Sequence, residues 1–314
     1  MLPFFIFKQK TYDMLIDYND QIKTLNSLRK GEFKQGLKLD IPELDEYFRL
    51  KPQDFGIWLG HANVGKTSIT IYLMLLYAIR HDQKFLIYSS ENEPYELIQK
   101  LLEFILEQPI NRIIPDDFNA GVNWIKKHFQ FIDNTKLYTY KELLEEAQKH
   151  RITYKYDGFL IDPYNSLAKD KEMLKGLGVH EYDYEATTDI RLFCKKNKVT
   201  VWLCTHANTE SIRQVYRDGR YQGYPKVPES SSIEGGGKFV NRCDFFAVAH
   251  RFIQHPTEFM NSQLHIKKVK SISSGGRCTP LDDPIIMKAI TNNVGYSINN
   301  ESLVKRLKLI KAPF

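Results

Sequence analysis

The sequence of 314 residues contains no run of apolar residues long enough to span a bilayer. The apolar stretch at residues 2–7 is too short for a transmembrane helix and lacks the small-residue cleavage site of a signal peptide. These absences, together with the lack of any CxxC pair, argue against a membrane protein and a disulfide scaffold. They predict a cytoplasmic protein whose thiols are reduced. The only cysteines are Cys194, Cys204, Cys243 and Cys278.

The sequence also lacks internal repeats and low-complexity tracts. Its composition, with 42% hydrophobic and 26% charged residues, is an ordinary globular balance. The chain is long enough for one large domain or two small ones. The formal net charge of +6 is a mild basic excess, which suits a polyanionic partner without requiring one.

The first part of the chain is predicted to lie outside the main domain. Residues 5–12 resemble the translated read-through of a sequencing adapter, so residues 1–12 are either an artefact or an N-terminal arm. Residues 13–36 are predicted as a linker helix, because apolar side chains recur in one stripe at three- and four-residue steps. The stripe could pack on its own domain or on a neighbouring subunit. It consists of Leu15, Tyr18, Ile22 and Leu25.

From residue 40 onward, short apolar runs alternate with helical patterns. This alternation predicts an α/β domain over residues 37–300, with a mostly parallel sheet flanked by helices on both faces. Later strands are expected to extend the sheet, partly antiparallel, and the basic tail at 301–314 receives no role. The predicted strands are 55–60, 84–89, 129–133, 158–162, 199–204, 245–249, 263–269 and 285–289, and the predicted helices are 66–79, 94–106, 140–150 and 184–196.

A phosphate-binding loop is predicted where the first strand of this domain meets its first helix. Residues 60–67 match GxxxxGK[ST], in which glycines let backbone N–H groups turn towards phosphates at a helix N-terminus. Lys66 is predicted to reach the β- and γ-phosphates of a nucleotide, and the Thr67 hydroxyl to ligate Mg²⁺. The alternative, a fortuitous Gly-rich turn, is disfavoured by the strand and helix around it. The predicted phosphate-site residues are Gly60, His61, Ala62, Asn63, Val64, Gly65, Lys66, Thr67 and Ser68.

Acidic candidates stand at two other strand ends. Asp162 ends a buried strand and is expected to hold Mg²⁺ with Thr67, although it could instead cap the turn that follows. Glu91 and Glu93 follow the second strand, and either could orient or deprotonate the attacking water. The alternative for both glutamates is an acid that stabilises a helix N-terminus.

His206 ends the fifth strand on the side expected to face the nucleotide. Because the carboxyl ends of parallel strands converge on the ligand, His206 is predicted to sense the γ-phosphate. The competing interpretation is a histidine whose bonds are satisfied in the core or at the surface.

At this point an ordered set of motifs resembles a known family. GHANVGKT, YSSEN, GFLIDPYNSL, TVWLCTHANTE and SSIEGGGKFVNRCDFFAVAHR are similar to motifs of the RecA-like ATPase domain of DnaB-type hexameric replicative helicases, and of phage primase–helicases in particular. The resemblance covers residues 11–300. It implies a RecA-like P-loop NTPase fold, with Glu91 rather than Glu93 as the catalytic glutamate. It also implies that Asp162 is the Walker B aspartate and that His206 is a phosphate sensor.

The resemblance further implies that Arg251 lies beside the nucleotide and that a neighbouring subunit completes the site with an arginine finger. The family's Lys-x-Arg pattern is matched here by Lys268 and Lys270, with lysine where arginine is expected. Lysine can neutralise charge but cannot form the forked contact of arginine, and Arg277 is a substitute candidate. The family's N-terminal helical domain and the phage primase have no counterpart, so we expect either a minimal helicase or a fragment.

A polar loop at residues 213–226 combines cations with tyrosines. Cations follow phosphates and aromatic rings stack on bases, so this composition suits single-stranded nucleic acid. The resemblance implies that DNA-binding loops lie here, whereas composition alone would favour a solvated surface loop. The predicted DNA-contact residues are Arg213, Arg217, Arg220, Tyr221, Lys226 and, just beyond the loop, Lys238.

Together these features predict an ATP- and Mg²⁺-dependent DNA helicase motor that forms a homo-hexameric ring on single-stranded DNA during replication. A primase or a loader is an expected partner, and the host cytoplasm is the expected location if a phage encodes the chain. Two alternatives stay open. One is a RecA/RadA-like recombinase or loader ATPase that coats DNA, and the other is a nucleotide-binding regulatory subunit with little turnover.

Overall fold

The structure is a computed structural model that describes residues 16–32, 36–271 and 275–308. The chain divides into two units, residues 1–35 and residues 36–314. The first unit contains helix α1 (Tyr18–Arg29), whose N-cap Asp17 accepts a hydrogen bond from the backbone N–H of Asn19 (2.8 Å). None of the α1 side chains is buried, and those of Tyr18, Ile22 and Leu25 are exposed. The predicted arm and Leu15 lie outside the described residues.

Within the described residues of the second unit, ten strands form one sheet in the order β10-β9-β8-β7-β6-β1-β5-β4-β2-β3. The six strands from β6 to β3 in this order run parallel, and β7 to β10 continue the sheet antiparallel beyond β6. The strands are β1 (Phe55–Gly60), β2 (Phe85–Ser89), β3 (Phe129–Phe131), β4 (Gly158–Asp162), β5 (Thr200–His206), β6 (Phe245–His250), β7 (Asn261–Val269), β8 (Ile285–Ala289), β9 (Tyr296–Ile298) and β10 (Glu301–Ser302).

Helices cover both faces of the sheet. The helices of the second unit are α2 (Pro42–Asp45), α3 (Lys66–His81), α4 (Pro94–Leu106), α5 (Pro115–His128), α6 (Tyr140–Thr153), α7 (Lys171–Leu177), α8 (Val179–Asn197), α9 (Thr209–Ile212), α10 (Lys238–Arg242) and α11 (Leu303–Lys308), with short 3₁₀ turns at Ile110–Arg112, Tyr164–Ser166, Ser230–Ser232 and Thr291–Asn293. The predicted α/β class and the parallel sheet with an antiparallel extension are confirmed.

The buried core consists of one layer on each face of the sheet. In β1, Trp58 belongs to the layer that contains Tyr72 of α3, whereas Ile57 belongs to the layer that contains Leu143 of α6 and Ile190 of α8. All residues of β1 are buried, as expected for a parallel strand covered on both faces. Among the described residues, no helix is both long and apolar enough to cross a membrane.

Several elements differ from the sequence-based expectation, and two regions show why. Helix α5 was not predicted, because its interior glycine, Gly121, and its few apolar positions weaken the helical pattern. The fold needs that glycine, since a Cβ there would lie 2.7 Å from Leu102 Cδ2 on α4. Residues 301–308 of the predicted basic tail form β10 and α11, and Leu303 and Leu307 are buried in the core.

Candidate nucleotide-binding site

The P-loop, residues 60–67, joins the end of β1 to the start of α3. Asn63 (φ +62°) and Gly65 (φ +86°) adopt left-handed backbone, which lets the loop turn back over the helix N-terminus. A Cβ at Gly60 would lie 2.8 Å from the carbonyl oxygen of Ala249 on the neighbouring strand. The two glycines of the motif are therefore required for different reasons, one for close approach and one for backbone conformation.

Lys66, His206 and Glu91 form a line of contacts at the edge where the parallel strands end, which we call the carboxyl edge. Lys66 Nζ lies 3.3 Å from His206 Nδ1, and His206 Nε2 lies 3.2 Å from Glu91 Oε1. Since an ammonium can only donate, Nδ1 accepts and the Nε2–H donates to the glutamate. The neutral imidazole therefore connects the Lys66 ammonium to the Glu91 carboxylate.

The sequence predicts Glu91 near the P-loop if β2 lies close to β1. In the structure, β5 and β4 separate the two strands, and His206 at the end of β5 spans the gap. Glu93, the rival glutamate, stands at the N-cap of α4, where its backbone N–H donates to Glu96 Oε2 (3.1 Å). The geometry thus brings Glu91 towards Lys66 and gives Glu93 a role in starting a helix.

Thr67 and Asp162 form a second pair at this edge. The Thr67 hydroxyl donates to Asp162 Oδ2 at 2.6 Å, and the aspartate is almost fully buried at the end of β4. Burial raises the pKa of Asp162, while the Thr67 hydrogen bond and the nearby Lys66 charge oppose that rise. The described residues contain no cluster of three metal-binding His, Cys, Asp or Glu side chains. A hydroxyl beside a carboxylate is nevertheless an oxygen pair that suits Mg²⁺ shared with nucleotide phosphates.

Asn165 and Ser166, which lie within the GFLIDPYNSL motif but were not predicted as site residues, hold these strand ends together. Asn165 Oδ1 accepts from the Thr205 hydroxyl (2.8 Å) and from the His206 backbone N–H (2.7 Å). The Ser166 hydroxyl donates to Glu91 Oε1 at 3.1 Å. A polar pair just after a buried strand that ends at the ligand edge was the available sequence signal.

Arg251 lies beside the P-loop, where its Nη2 donates to the carbonyl oxygen of Asn63 (2.9 Å). It lines an open cleft with Gly65, Ser68, Lys100, Tyr296 and three other residues. Burial raises the pKa of Tyr296 to about 12 and lowers that of Lys100. Neither residue was selected from the sequence, because β9 and α4 carry no motif that points to this cleft.

The residues predicted to act as the finger, Lys268, Lys270 and Arg277, do not lie beside the P-loop of their own chain. Val269 pairs with Phe245, the first residue of β6, so Lys268 and Lys270 stand at the edge opposite the P-loop, which we call the amino edge. Lys270 Nζ lies 3.2 Å from Asp244 Oδ1, and Lys268 donates to a backbone carbonyl of α10. Arg277 pairs with Glu46.

The 213–226 loop is folded and exposed at the carboxyl side of β5. Tyr216 N donates to Tyr224 O (3.0 Å) and Gly223 N donates to Tyr216 O (2.9 Å), so the loop closes on itself as a small hairpin. Tyr221 stacks on Phe252, with ring centroids 4.0 Å apart.

Most of the predicted DNA-contact cations already have partners within the chain. Arg213 pairs with Glu210 (2.8 Å), Lys238 with Glu181 (2.6 Å) and Arg220 with Glu258. Lys226 lies over the Tyr216 ring (5.9 Å), and Arg217 is exposed. Exposed ion pairs are weak and exchange readily for other anions. DNA contact by these side chains stays a prediction.

Comparison with known proteins places this geometry in a known fold. One solved structure, itself an ATPase domain, has a TM-score of 0.66 and 14% identity, covering 91% of this chain and 99% of that one. A DnaB-like replicative helicase, described with its interactions with primase, has the same TM-score and 13% identity, covering 90% of this chain and 67% of that one. The chain is similar in fold to both of these proteins. The predicted RecA-like fold is confirmed.

Sequence comparison adds a distant relative of this RecA-like domain. A "Twinkle homolog protein, chloroplastic/mitochondrial" from Arabidopsis thaliana is 24% identical over 246 residues, which are 75% of this chain. The matched region spans about a third (33%) of the relative's length. No protein-family model matches the sequence.

Proposed function

We propose that the chain is the ATP-hydrolysing motor of a ring-forming DNA helicase that moves along single-stranded DNA during replication. The observation that carries this proposal is the line from Lys66 through His206 to Glu91 beside the Thr67–Asp162 pair. A cation, a carboxylate and a candidate metal pair meet at one helix N-terminus. Cleavage of a nucleoside triphosphate needs this combination.

In the proposed reaction each group has a separate task. Lys66 and the P-loop N–H groups bind the β- and γ-phosphates, and Glu91 accepts a proton from the attacking water. Mg²⁺ would be held by Thr67 and Asp162 and would neutralise charge on phosphate oxygens. Because His206 touches both Lys66 and Glu91, it can respond when Lys66 turns towards a phosphate.

The open cleft beside the P-loop is the proposed base pocket. Arg251 and Tyr296 line it together with Ser68 of the P-loop helix. A guanidinium and an aromatic ring both favour the face of a planar base, and they tolerate more than one base. This pocket extends the predicted role of Arg251.

The proposed ring assembles head to tail, with ATP between subunits. Since Lys268 and Lys270 lie at the amino edge, they would complete a neighbour's site and not that of their own chain. A contact between unlike surfaces closes into a ring or continues as a filament. Lys270 is the better finger candidate because its side chain is 53% exposed. Lys268 instead donates a hydrogen bond to the Val240 carbonyl within its own chain.

Single-stranded DNA is the proposed substrate of the 213–226 loop. The cations of the loop are exposed, and two of them, Arg213 and Arg220, form ion pairs within the chain. Because Tyr221 is packed against Phe252, the loop presents these charges from a fixed backbone. A primase or loader partner and a cytoplasmic site of action belong to the same proposal. The DnaB-like neighbour, whose interactions with primase are described, supports the primase partner, whereas the plant relative is named for organelles.

A fork substrate with a single-stranded tail tests the proposal. We expect strand separation that requires a hydrolysable nucleotide and Mg²⁺, and we expect Lys66→Ala to abolish both strand separation and ATP hydrolysis. DNA-coated filaments without separation would favour the recombinase or loader. Nucleotide binding without turnover would favour the regulatory subunit. Imaging with an ATP analogue and single-stranded DNA would distinguish a ring from a filament.

A further inference from the structure

The P-loop is hydrogen-bonded directly to the base of the 213–226 loop. His61, inside the P-loop, is 6% exposed, and its Nε2 lies 2.9 Å from Ser211 Oγ in α9. The Ser211 hydroxyl donates to the Asn208 carbonyl (2.7 Å), so its lone pairs accept the Nε2–H of His61. Ser211 is itself 3% exposed, and this contact therefore excludes solvent.

The residues after β6 make a second connection. Arg251 donates to the P-loop carbonyl of Asn63, and the next residue, Phe252, is buried against the 213–226 loop. The Phe252 and Tyr221 rings are stacked with an interplanar angle of 17°. Arg251 and Phe252 are adjacent in the chain, so one short segment contacts the P-loop and the 213–226 loop at once.

His250 continues this connection back to the P-loop. Its ring centroid lies 6.3 Å from that of His61 and 4.7 Å from that of Phe252. Burial lowers the pKa of His250 to about 3, and neither ring nitrogen has a hydrogen-bond partner among the described residues. The ring therefore serves as a neutral packing element. His61, His250, Phe252 and Tyr221 form an unbroken path of neighbouring rings.

The segment after Phe252 also contacts the 213–226 loop. His255 lies 5.2 Å from the Tyr224 ring, and Glu258 pairs with Arg220. The loop is thus seated on residues 250–258, and its base is bonded to His61. Packed interiors do not deform smoothly, so displacement of the P-loop must be accommodated at these contacts.

We propose that Ser211 and Phe252 are positioning residues that couple the nucleotide state of the P-loop to the single-strand affinity of the 213–226 loop. This inference rests on the proposed function. It assigns the coupling to Ser211 at the base of the loop and to Phe252 beneath it, in addition to any signal through His206. By linkage, the same coupling must make DNA change nucleotide affinity by the same factor.

The test measures, with the full chain, the factor by which the bound nucleotide changes single-strand affinity. Binding of fluorescein-labelled oligo(dT) is followed by anisotropy in Mg²⁺ with a non-hydrolysable ATP analogue and, separately, with ADP. For the unaltered chain we expect the two affinities to differ by about 5-fold or more. In Ser211→Ala and in Phe252→Leu we expect this ratio to fall to within about twofold of one, with analogue affinity in the absence of DNA unchanged. Ser211→Thr and Phe252→Tyr, which keep the hydroxyl and the ring, should restore it.

The ratio separates coupling from simple loosening of the loop. A loosened loop would weaken DNA binding equally with both nucleotides and leave the ratio intact, and that result would overturn the inference. An unaltered chain that binds DNA with no nucleotide dependence would also overturn it. An unaltered chain that binds no DNA would instead remove the proposed function. If Phe252→Leu does not fold, Ser211→Ala, a smaller change in a four-residue helix, decides alone.

Discussion

Charged side chains at the two edges of the parallel sheet differ in how they are paired. At the amino edge, the Asp244 carboxylate has three partners. It accepts a hydrogen bond from the Phe55 backbone N–H (3.2 Å) and forms ion pairs with Arg191 (2.8 Å) and Lys270 (3.2 Å). At the carboxyl edge, no carboxylate among the described residues forms an ion pair with Lys66, whose Nζ contacts the neutral His206.

This contrast shows how one chain can carry two halves of a site. The positive charge of Lys66 stays available to an anion because its partner is an acceptor without charge. The ammonium of Lys270 is held in place by Asp244 but remains exposed to another molecule. The proposed nucleotide site lies at the carboxyl edge, and the group proposed to complete a neighbour's site lies at the amino edge.

Glu91→Gln tests the carboxyl edge and should have the largest effect. The amide cannot accept the proton of the attacking water, so we expect ATP hydrolysis to fall by about 10²–10⁴-fold while nucleotide binding persists. The matched control is Glu93→Gln, which keeps a helix N-cap and should hydrolyse ATP normally. A larger loss from the Glu93 change would reverse the assignment.

Lys270→Ala tests whether the amino edge acts on a neighbour. We expect DNA-stimulated hydrolysis to fall by about 10–100-fold, less than for an arginine finger because lysine acts as a point charge. Mixing this variant with Lys66→Ala should recover part of the activity, since some interfaces then pair an intact P-loop with an intact Lys270. Arg277→Ala is the control, and a loss confined to that variant would move the finger to Arg277.

Arg217→Ala and Arg220→Ala test whether the carboxyl edge also presents DNA-binding charge. Removal of one cation that binds a phosphate should weaken single-strand affinity several-fold and reduce the salt slope by about 0.7. Arg217 should matter more, because Arg220 already pairs with Glu258. Arg112→Ala, an exposed arginine on a 3₁₀ turn, is the control. An unchanged salt slope in both loop variants would exclude the loop as the DNA site.

Asp54→Asn tests the cost of burying a carboxylate at the amino edge. Burial, with the charge of nearby Asp244 as a lesser cause, raises the pKa of Asp54 from 3.8 to about 6. The folded state thus binds more protons between these values, and its stability falls as pH rises from 3.8 to about 6. We expect the variant to raise the free energy of unfolding by about 1–2 kcal/mol at about pH 7.5 and by much less at about pH 4.

Denaturant unfolding at the two pH values measures this difference. Asp133→Asn is the control, since hydrogen bonds from Thr135 lower the pKa of that exposed carboxylate and no gain in stability is expected at the higher pH. Equal stability of Asp54→Asn and the unaltered chain at the higher pH would contradict the raised pKa.

Much of the candidate site could be predicted from strand ends. Lys66, Thr67, Asp162 and His206 each follow or end an apolar run, and parallel strands bring such ends together. The finger candidates were placed only by their pattern, and the antiparallel course of β7 moves them to the other edge.

The sequence by itself determined the α/β alternation, eight of the ten strands, the P-loop and the strand-end residues. Local periodicity and a contiguous motif encode these features. Only the tertiary structure decided the strand order that makes His206 the bridge between Lys66 and Glu91. It also decided the placement of Tyr296 in the cleft and the seating of the loop on Phe252. These contacts join residues far apart in the chain, and their partners are selected by packing and burial, which no local pattern encodes.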